Sequence, residues 1–202
     1  MARYSEKQKA ALDALMKDDV YRHAMEIIKT DGLGGLTMEG IAAAVGVSRG
    51  TLYNYFADKD AVIDYVEERT FDPVLGAIQE ISKSDLEPDL KLTRIANWIF
   101  TAVYEDSALI IALSPVKHEM KRHPCKIERR NKAMRSIEEI VRDGIDSGAF
   151  KRLSPVVVTE IYVGSIFGMI ESMSLNGEFY RADAVVPTLM ELLLGGLRNP
   201  RH

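Results

Sequence analysis

Residues 47–62 read VSRGTLYNYFADKDAV, in which Ser48, Arg49, Gly50, Thr51, Tyr53, Asn54 and Tyr55 crowd around only two strongly apolar side chains, Leu52 and Phe56. Hydroxyls, an amide and one guanidinium in succession are hydrogen-bonding groups. They are suited to gripping an anionic or nucleobase surface rather than to nucleophilic or acid–base work. An arginine at the start of such a stretch suits guanine, through a bidentate bond to O6 and N7. Thr51, Tyr53 and Tyr55 add donors without added charge, and Lys59 adds a point charge one residue after Asp58. Chemistry of other kinds is thinly supplied. There are four histidines (His23, His118, His123, His202), one cysteine (Cys125) beside a proline, and neither a phosphate loop nor a nucleophile motif, so no enzyme is expected. His118 and His123 lie five apart, off a shared helical face, and Pro124 would interrupt the helix; no metal and no cofactor is expected.

The elements that must position those donors are marked by their punctuation. Thr37 caps a short helix carrying Met38, Ile41, Ala42 and Val45, Gly46 is a left-handed stop, and Ser48 caps the next helix. Upstream, helical stretches over 5–16 and 19–30 lead to DGLGG at 31–35, which ends them; downstream, Asp58 caps a helix running to about Ile81 with Pro73 as a kink. Cap, short helix, glycine turn, cap and shorter helix is the spacing of a helix-turn-helix, whose second helix enters the DNA major groove. Leu52 and Phe56, at i and i+4, fasten that helix to Ile41, Val45 and Val47, leaving Arg49, Gly50, Tyr53 and Asn54 outside. The free N–H groups behind Thr37 and Ser48 can also meet phosphate. A tight corner in a globular core is the plainer alternative, but such a corner seldom exposes so many polar and aromatic groups.

The segment LTMEGIAAAVGVSRGTLYNYFADKDAVIDYV (36–66) resembles the DNA-binding signature of the TetR family of bacterial transcriptional regulators. Thr37, Ile41-Ala42, Gly46-Val47-Ser48, Gly50-Thr51-Leu52-Tyr53, Tyr55-Phe56 and Lys59 carry it, with Ala24 and Gly32 where the family's first helix and its terminating glycine fall. The resemblance implies that Thr37, Ser48, Thr51, Tyr53, Tyr55 and Lys59 position phosphates and that Arg49, Gly50 and Asn54 face bases. Two departures matter. Gly40 stands where a capping box would have an acid, and Glu39 leaves the second helix without a basic base-reader, which puts sequence reading mostly on Arg49.

Charge pulls the other way. The chain carries −4, and residues 1–70 hold nine Lys/Arg against twelve Asp/Glu, net −3. The basic footprint usual in DNA binders is missing. Phosphates must then be met mainly by neutral donors and helix ends, with acids such as Glu67 and Glu68 turned away.

Helical spacing recurs along the remainder, so the chain reads as all-α: a helix-turn-helix unit over 1–66 and a larger helical ligand-binding and dimerisation region over 67–202. SKSDLEPD (82–89) is the best linker or corner along the chain, and beyond it helical segments cover about 90–113, 117–148, 155–176 and 183–198. Segment 155–176 is apolar nearly all round and is expected to be buried on several sides. Gly164, Gly168 and Ser172 recur every four residues in it and, with Leu189, Leu193 and Leu197, are the candidate dimer interface; an ordinary intrachain core is the alternative. A homodimer would set two readers on a palindromic double-stranded operator. Trp98, Thr101, Tyr104, Glu105, Met120, Met134, Met169 and Met173 are candidates to line an adaptable pocket for a largely apolar small-molecule effector, though each equally suits a plain core. KHEMKRHPCKIERRNKAMR (117–135), with eight Lys/Arg against two acids, is a solvated helical face or the receiver of an anionic ligand.

No run of eighteen apolar residues and no signal-peptide core is present, so a cytoplasmic, membrane-free protein is expected, lodged on the bacterial nucleoid when bound to DNA. The expected function is a ligand-responsive transcriptional regulator, a repressor released from its operator by the effector. The alternative is a DNA-bound scaffold that recruits a partner protein without any small ligand.

Overall fold

The computed structural model describes residues 6–105 and 124–199. Among these, regular structure is helical throughout, apart from one isolated bridge between Phe150 and Arg198. The helices are α1 (Glu6–Gly35), α2 (Met38–Val45), α3 (Arg49–Tyr53), α4 (Lys59–Ser82), α5 (Pro88–Glu105), α6 (Pro124–Asp146), α7 (Pro155–Asn176) and α8 (Ala182–Leu197). The chain divides into two compact units between Phe71 and Asp72, with α4 running through the division.

In the first unit, α1 is one continuous helix where two were expected. No glycine or proline interrupts the chain between Glu6 and Asp31, so nothing stops the helix until Gly32. That residue sits at φ 68°, ψ −177°, a backbone state open essentially to glycine alone. Val20, Ala24, Met25 and Ile28 form the buried stripe of α1. They meet Leu36, Met38, Ile41, Leu52, Phe56, Val62 and Val66 in this unit's core. The early turns of α1 expose Leu12 and Leu15 to solvent. Asp18 reaches Arg69 at 2.5 Å, and the Arg69 guanidinium lies 4.7 Å from the Tyr21 ring centroid, which fastens α4 to α1.

The second unit is built around α5, which packs against α6, α7 and α8. Its inner face is Leu92, Ile95, Ala96, Phe100 and Val103, among Ile137, Ile140, Phe150, Tyr162, Ile166, Met173, Val186, Met190 and Leu194. Tyr162 Oη donates to the carbonyl oxygen of Leu92 at 2.6 Å, and burial pushes its phenol far above the ordinary tyrosine range. Tyr162→Phe is expected to cost about 0.5–1.5 kcal/mol, read as a shift in the unfolding midpoint. Two lysines close helix ends: Lys91 Nζ donates to Ser82 O at 2.9 Å, and Lys151 Nζ to Gly196 O at 2.8 Å.

Two expectations for α7 change. Ser154 followed by Pro155 is the sequence pattern of a capped helix start, yet the Ser154 side chain makes no capping bond. Burial on several sides is not seen either. Thr159, Tyr162, Val163, Ile166, Ile170 and Met173 form a single buried face, while Val156, Val157, Ile161, Phe167 and Leu175 remain exposed. By length and composition alone α7 could pass for a membrane span, although Thr159, Glu160, Ser165 and Glu171 interrupt its apolar run. Its packed face and its Glu160 and Glu171 mark it instead as a helix covered on one side by its own unit.

Candidate nucleic-acid interface and ligand groove

The helix-turn-helix is built by capping. Thr37 Oγ1 accepts from the Gly40 N–H at 3.0 Å, and Gly46 closes α2 at φ 78°, its N–H reaching back to Ala42 and Ala43. Ser48 Oγ then accepts from the Thr51 N–H at 3.1 Å and pairs with Thr51 Oγ1 at 2.8 Å. A five-residue helix cannot hold itself in water. Here it is held by those two caps and by Leu52 and Phe56, both buried. Phe56 in turn meets Tyr65 of α4 in a tilted ring contact, 5.4 Å between centroids. Replacing Ser48 with alanine is therefore expected to lower the stability of the first unit by about 1 kcal/mol, measured by thermal melting of the variant.

With Leu52 turned inward, the other side of α3 presents Arg49, Gly50, Tyr53 and Asn54, all exposed. Thr37 and Ser48 are exposed at the two helix starts, while Thr51 is partly buried. A Cβ added at Gly50 would meet only Ser48 Oγ at 3.8 Å, so the glycine leaves clear ground on this face instead of filling a tight spot. Arg49 does not stand alone. Its Nη2 lies 2.7 Å from Glu39 Oε1 of α2, and a hydrogen bond with Tyr53 together with the Glu39 charge holds its guanidinium above the ordinary arginine range. Glu39, read from sequence only as leaving α2 without a basic residue, is thus the ion-pair partner of the arginine expected to face bases.

Two more of the nine expected DNA-facing residues, Tyr55 and Lys59, have their polar ends tied to α1. Tyr55 Oη donates to Asp13 Oδ1 of α1 at 2.8 Å, which raises its phenol pKa. Lys59 Nζ donates to the Leu33 carbonyl at 2.7 Å, at the end of α1. Both act as ties between the reader and α1. The Asp13 tie was not legible in sequence, because it joins residues 42 apart along an otherwise ordinary helix.

In the second unit the outer face of α5 forms a groove of about 360 Å³ lined by Arg94, Asn97, Trp98, Thr101, Ala102 and Glu105. This lies at the low end of ligand-pocket volumes, about 300–1,000 Å³. Trp98, Thr101 and Glu105 were expected there; Arg94 and Asn97 were not, although their i, i+3, i+4 spacing from Trp98 and Thr101 places all of them on one helical face. The other candidates separate from the groove. Tyr104 is exposed beside it, Met134 and Met169 pack against the core of this unit, and Met173 is fully within that core. Met120, like the rest of 117–123 in the basic stretch, lies outside the described residues. Where that stretch is described, Lys132 pairs with Glu128 at 3.3 Å and Arg130 approaches Glu160 at 3.7 Å, a solvated face. Among the described residues no group of His, Cys, Asp and Glu is placed to hold a metal ion.

The candidate dimer residues divide as well. Gly164, Gly168 and Ser172 are exposed along α7, and a Cβ at either glycine would meet nothing within 4 Å. Leu189 and Leu193 are half-buried, and Leu197 is buried in the protomer's own core. Beside the glycine strip lies a shallow apolar hollow of about 200 Å³, lined in part by Leu153, Ile161, Leu192 and Gly196.

Residues 20–66 match the family described as bacterial regulatory proteins, tetR family. Over 141 residues, 68% of this chain and 69% of the relative, the sequence is 26% identical to the HTH-type transcriptional repressor KstR2 of Mycolicibacterium smegmatis. It is 23% identical over 184 residues to the fatty acid metabolism regulator protein of Bacillus subtilis, covering 87% of this chain and 92% of that one. The fold is shared with the solved transcriptional regulator FadR from Bacillus subtilis in complex with stearoyl-CoA, at a TM-score of 0.75 and 23% identity over 89% of this chain and 98% of that one.

Proposed function

We infer that this chain, a member of the TetR family of bacterial transcriptional regulators, is a ligand-responsive repressor that binds its operator as a homodimer and is released by a small-molecule effector. The observation that carries this reading is the exposed row Arg49, Gly50, Tyr53 and Asn54 on a helix whose only buried residue is Leu52. A helix that spends so little on its own core has its other face free for a groove.

Two copies are needed to read a palindrome, and the apolar face of α7 and α8 is where they would meet. Val157, Ile161, Leu175 and Leu192 lie exposed around Gly164, Gly168, Gly195 and Gly196, at none of which a Cβ would touch anything. The glycines allow helix backbones to approach closely, and the large side chains supply area. The setting is the bacterial cytoplasm, where operator DNA lies.

The effector we propose has an apolar body and an anionic head, the chemistry of a fatty acyl thioester or a steroid acid. Two observations support it: the Trp98 groove with Arg94 at its margin, and the stearoyl-CoA held by the Bacillus subtilis relative of like fold. Helix α4 belongs to both units, so a ligand that favours one setting of α4 would shift the reader with it. Release requires that the effector bind the DNA-free state better, since equal affinity for both states shifts nothing. Stearoyl-CoA, stearate and a steroid carboxylate are the probes. At about 100 times its Kd the right class stabilises the protein by about 2.7 kcal/mol and lowers its DNA affinity. Melting and DNA affinity unmoved by all three would remove this effector class.

Salt dependence follows from the reader's charges. Lys59 is committed to Leu33 and Arg49 is shared with Glu39, so few counterions are displaced by either subunit. Affinity for the operator is expected to fall by less than about 1,000-fold between 50 and 200 mM salt, below the loss for proteins making six to ten phosphate contacts. A steeper fall in a fluorescence-anisotropy series would show cations on the interface beyond these two.

A further inference from the structure

We propose that Glu39 is a specificity-determining positioning residue: from α2 it fixes the Arg49 guanidinium of α3 for bidentate reading of one guanine in each half-site. The inference rests on the DNA-reading role given to α3 above.

A carboxylate on a DNA-facing surface is at first a defect. It repels phosphate, and this unit is already net negative. Glu39 is nonetheless exposed, with 56% of its side chain open, and it lies 2.7 Å from Arg49, itself 59% open. In water such a pair is weak and salt-sensitive, so stability gives no reason for it. Geometry does. Arginine carries five N–H donors in a rigid plane. The ion pair to Glu39 is made through Nη2, so other N–H groups of the guanidinium remain for O6 and N7 of guanine, which require two donors.

The ion pair to α2 holds the side chain in place, so it loses less freedom on meeting the base. A loose arginine would follow the nearest phosphate instead, since phosphate is the stronger attractor and carries no sequence information. Glu39 thus lowers general affinity and raises discrimination, a trade expressed as a difference between competing sites. Its own repulsion of the backbone works in the same direction.

The test uses the full-length protein and a duplex enriched by it from a randomised pool, with each guanine replaced in turn by 7-deazaguanine. That base keeps O6 and the Watson–Crick edge but lacks the N7 acceptor. For the unaltered chain, one guanine per half-site is expected to lose about tenfold in affinity on replacement. Arg49→Ala should be indifferent at that position. Glu39→Ala should lose most of the sensitivity, to about threefold or less, while binding random DNA at least as tightly as before and with a steeper salt slope. Glu39→Gln, which keeps an acceptor for Arg49, should recover part of the discrimination. Because the readout is a ratio between two duplexes on the same protein sample, a small loss of folded fraction does not move it. Undiminished 7-deazaguanine sensitivity in Glu39→Ala overturns the proposal, and so does a parallel loss of affinity for operator and random DNA alike. If the unaltered chain enriches no sequence at all, it is the underlying reading of α3 that fails.

Discussion

Leu192→Glu and Ile161→Glu are each expected to leave the chain folded, convert it to a monomer, and reduce operator affinity by about 10²- to 10⁴-fold, the range separating linked from single binding events. The expectation depends on where these side chains lie. Leu192 is 74% exposed and Ile161 54%, so a carboxylate at either position gives up at most about half of one side chain's burial within the protomer. Monomeric proteins seldom expose contiguous apolar surface beyond a few hundred Å². Across an interface the same carboxylate would be desolvated against apolar neighbours and its two-fold copy. Each half of a palindrome would then be held by a separate chain, with no gain from the first contact to the second. Sedimentation equilibrium and anisotropy on the same samples check the two effects together. Variants that stay dimeric would move the interface elsewhere; monomers that retain full affinity would show that one chain suffices.

The second large effect concerns the fold. Phe150→Ala is expected to destabilise the second unit by about 3–5 kcal/mol. Phe150 is 1% exposed and closes the turn after α6, its N–H bonding Gly144 O at 2.8 Å. Next to it, Lys151 N–H reaches Leu197 O and Asn199 N–H reaches Ala149 O, both at 2.9 Å, so this turn also fixes the end of α8. Gly144 is the complement of the ring: a Cβ there would fall 2.2 Å from Phe150 Cδ2 and 2.4 Å from Cε2. The ring is buried and cannot step aside, so Gly144→Ala is expected to cost about 1–3 kcal/mol. The double variant should cost less than the sum, because removing the ring makes room for the methyl. Denaturant unfolding of all four proteins measures the cycle. Strict additivity would mean that the ring and the glycine do not share one space.

The reader was legible in sequence because its parts are local. A cap acts on a residue three places on, a left-handed glycine acts where it stands, and Leu52 and Phe56 face inward by helical spacing; the matched positions of Thr37, Gly46 and Ser48 follow from that. Long-range pairings were not legible. Tyr55 and Lys59 look like free donors in sequence, and only the fold brings Asp13 and the Leu33 carbonyl to them. Arg49 and Glu39 were singled out separately, one as a reader and the other as a departure, and their contact depends on the turn between α2 and α3. The length of α1 was underestimated because the polar run Lys17, Asp18, Asp19 resembles a boundary, although none of them breaks a helix. In the larger unit the apolar pattern revealed the helices but not which methionine faces what. Met173 belongs to the core, and the groove instead draws on Arg94 and Asn97 of α5. The half-covered state of α7 has the same origin, since hydrophobicity alone cannot say whether a face meets its own chain or another.

The central claim is that the exposed side of α3 reads the operator, and the most direct measurement is anisotropy titration of the enriched duplex with the unaltered protein and with a Tyr53→Ala, Asn54→Ala variant. Both substituted side chains are exposed, so the variant should melt as the parent does. The account predicts saturation of the unaltered protein at two chains per palindromic duplex, with half-sites about one helical turn apart, and no preference over random DNA in the variant. Selective binding that survives in the variant would contradict it and place the DNA-reading surface elsewhere on the chain.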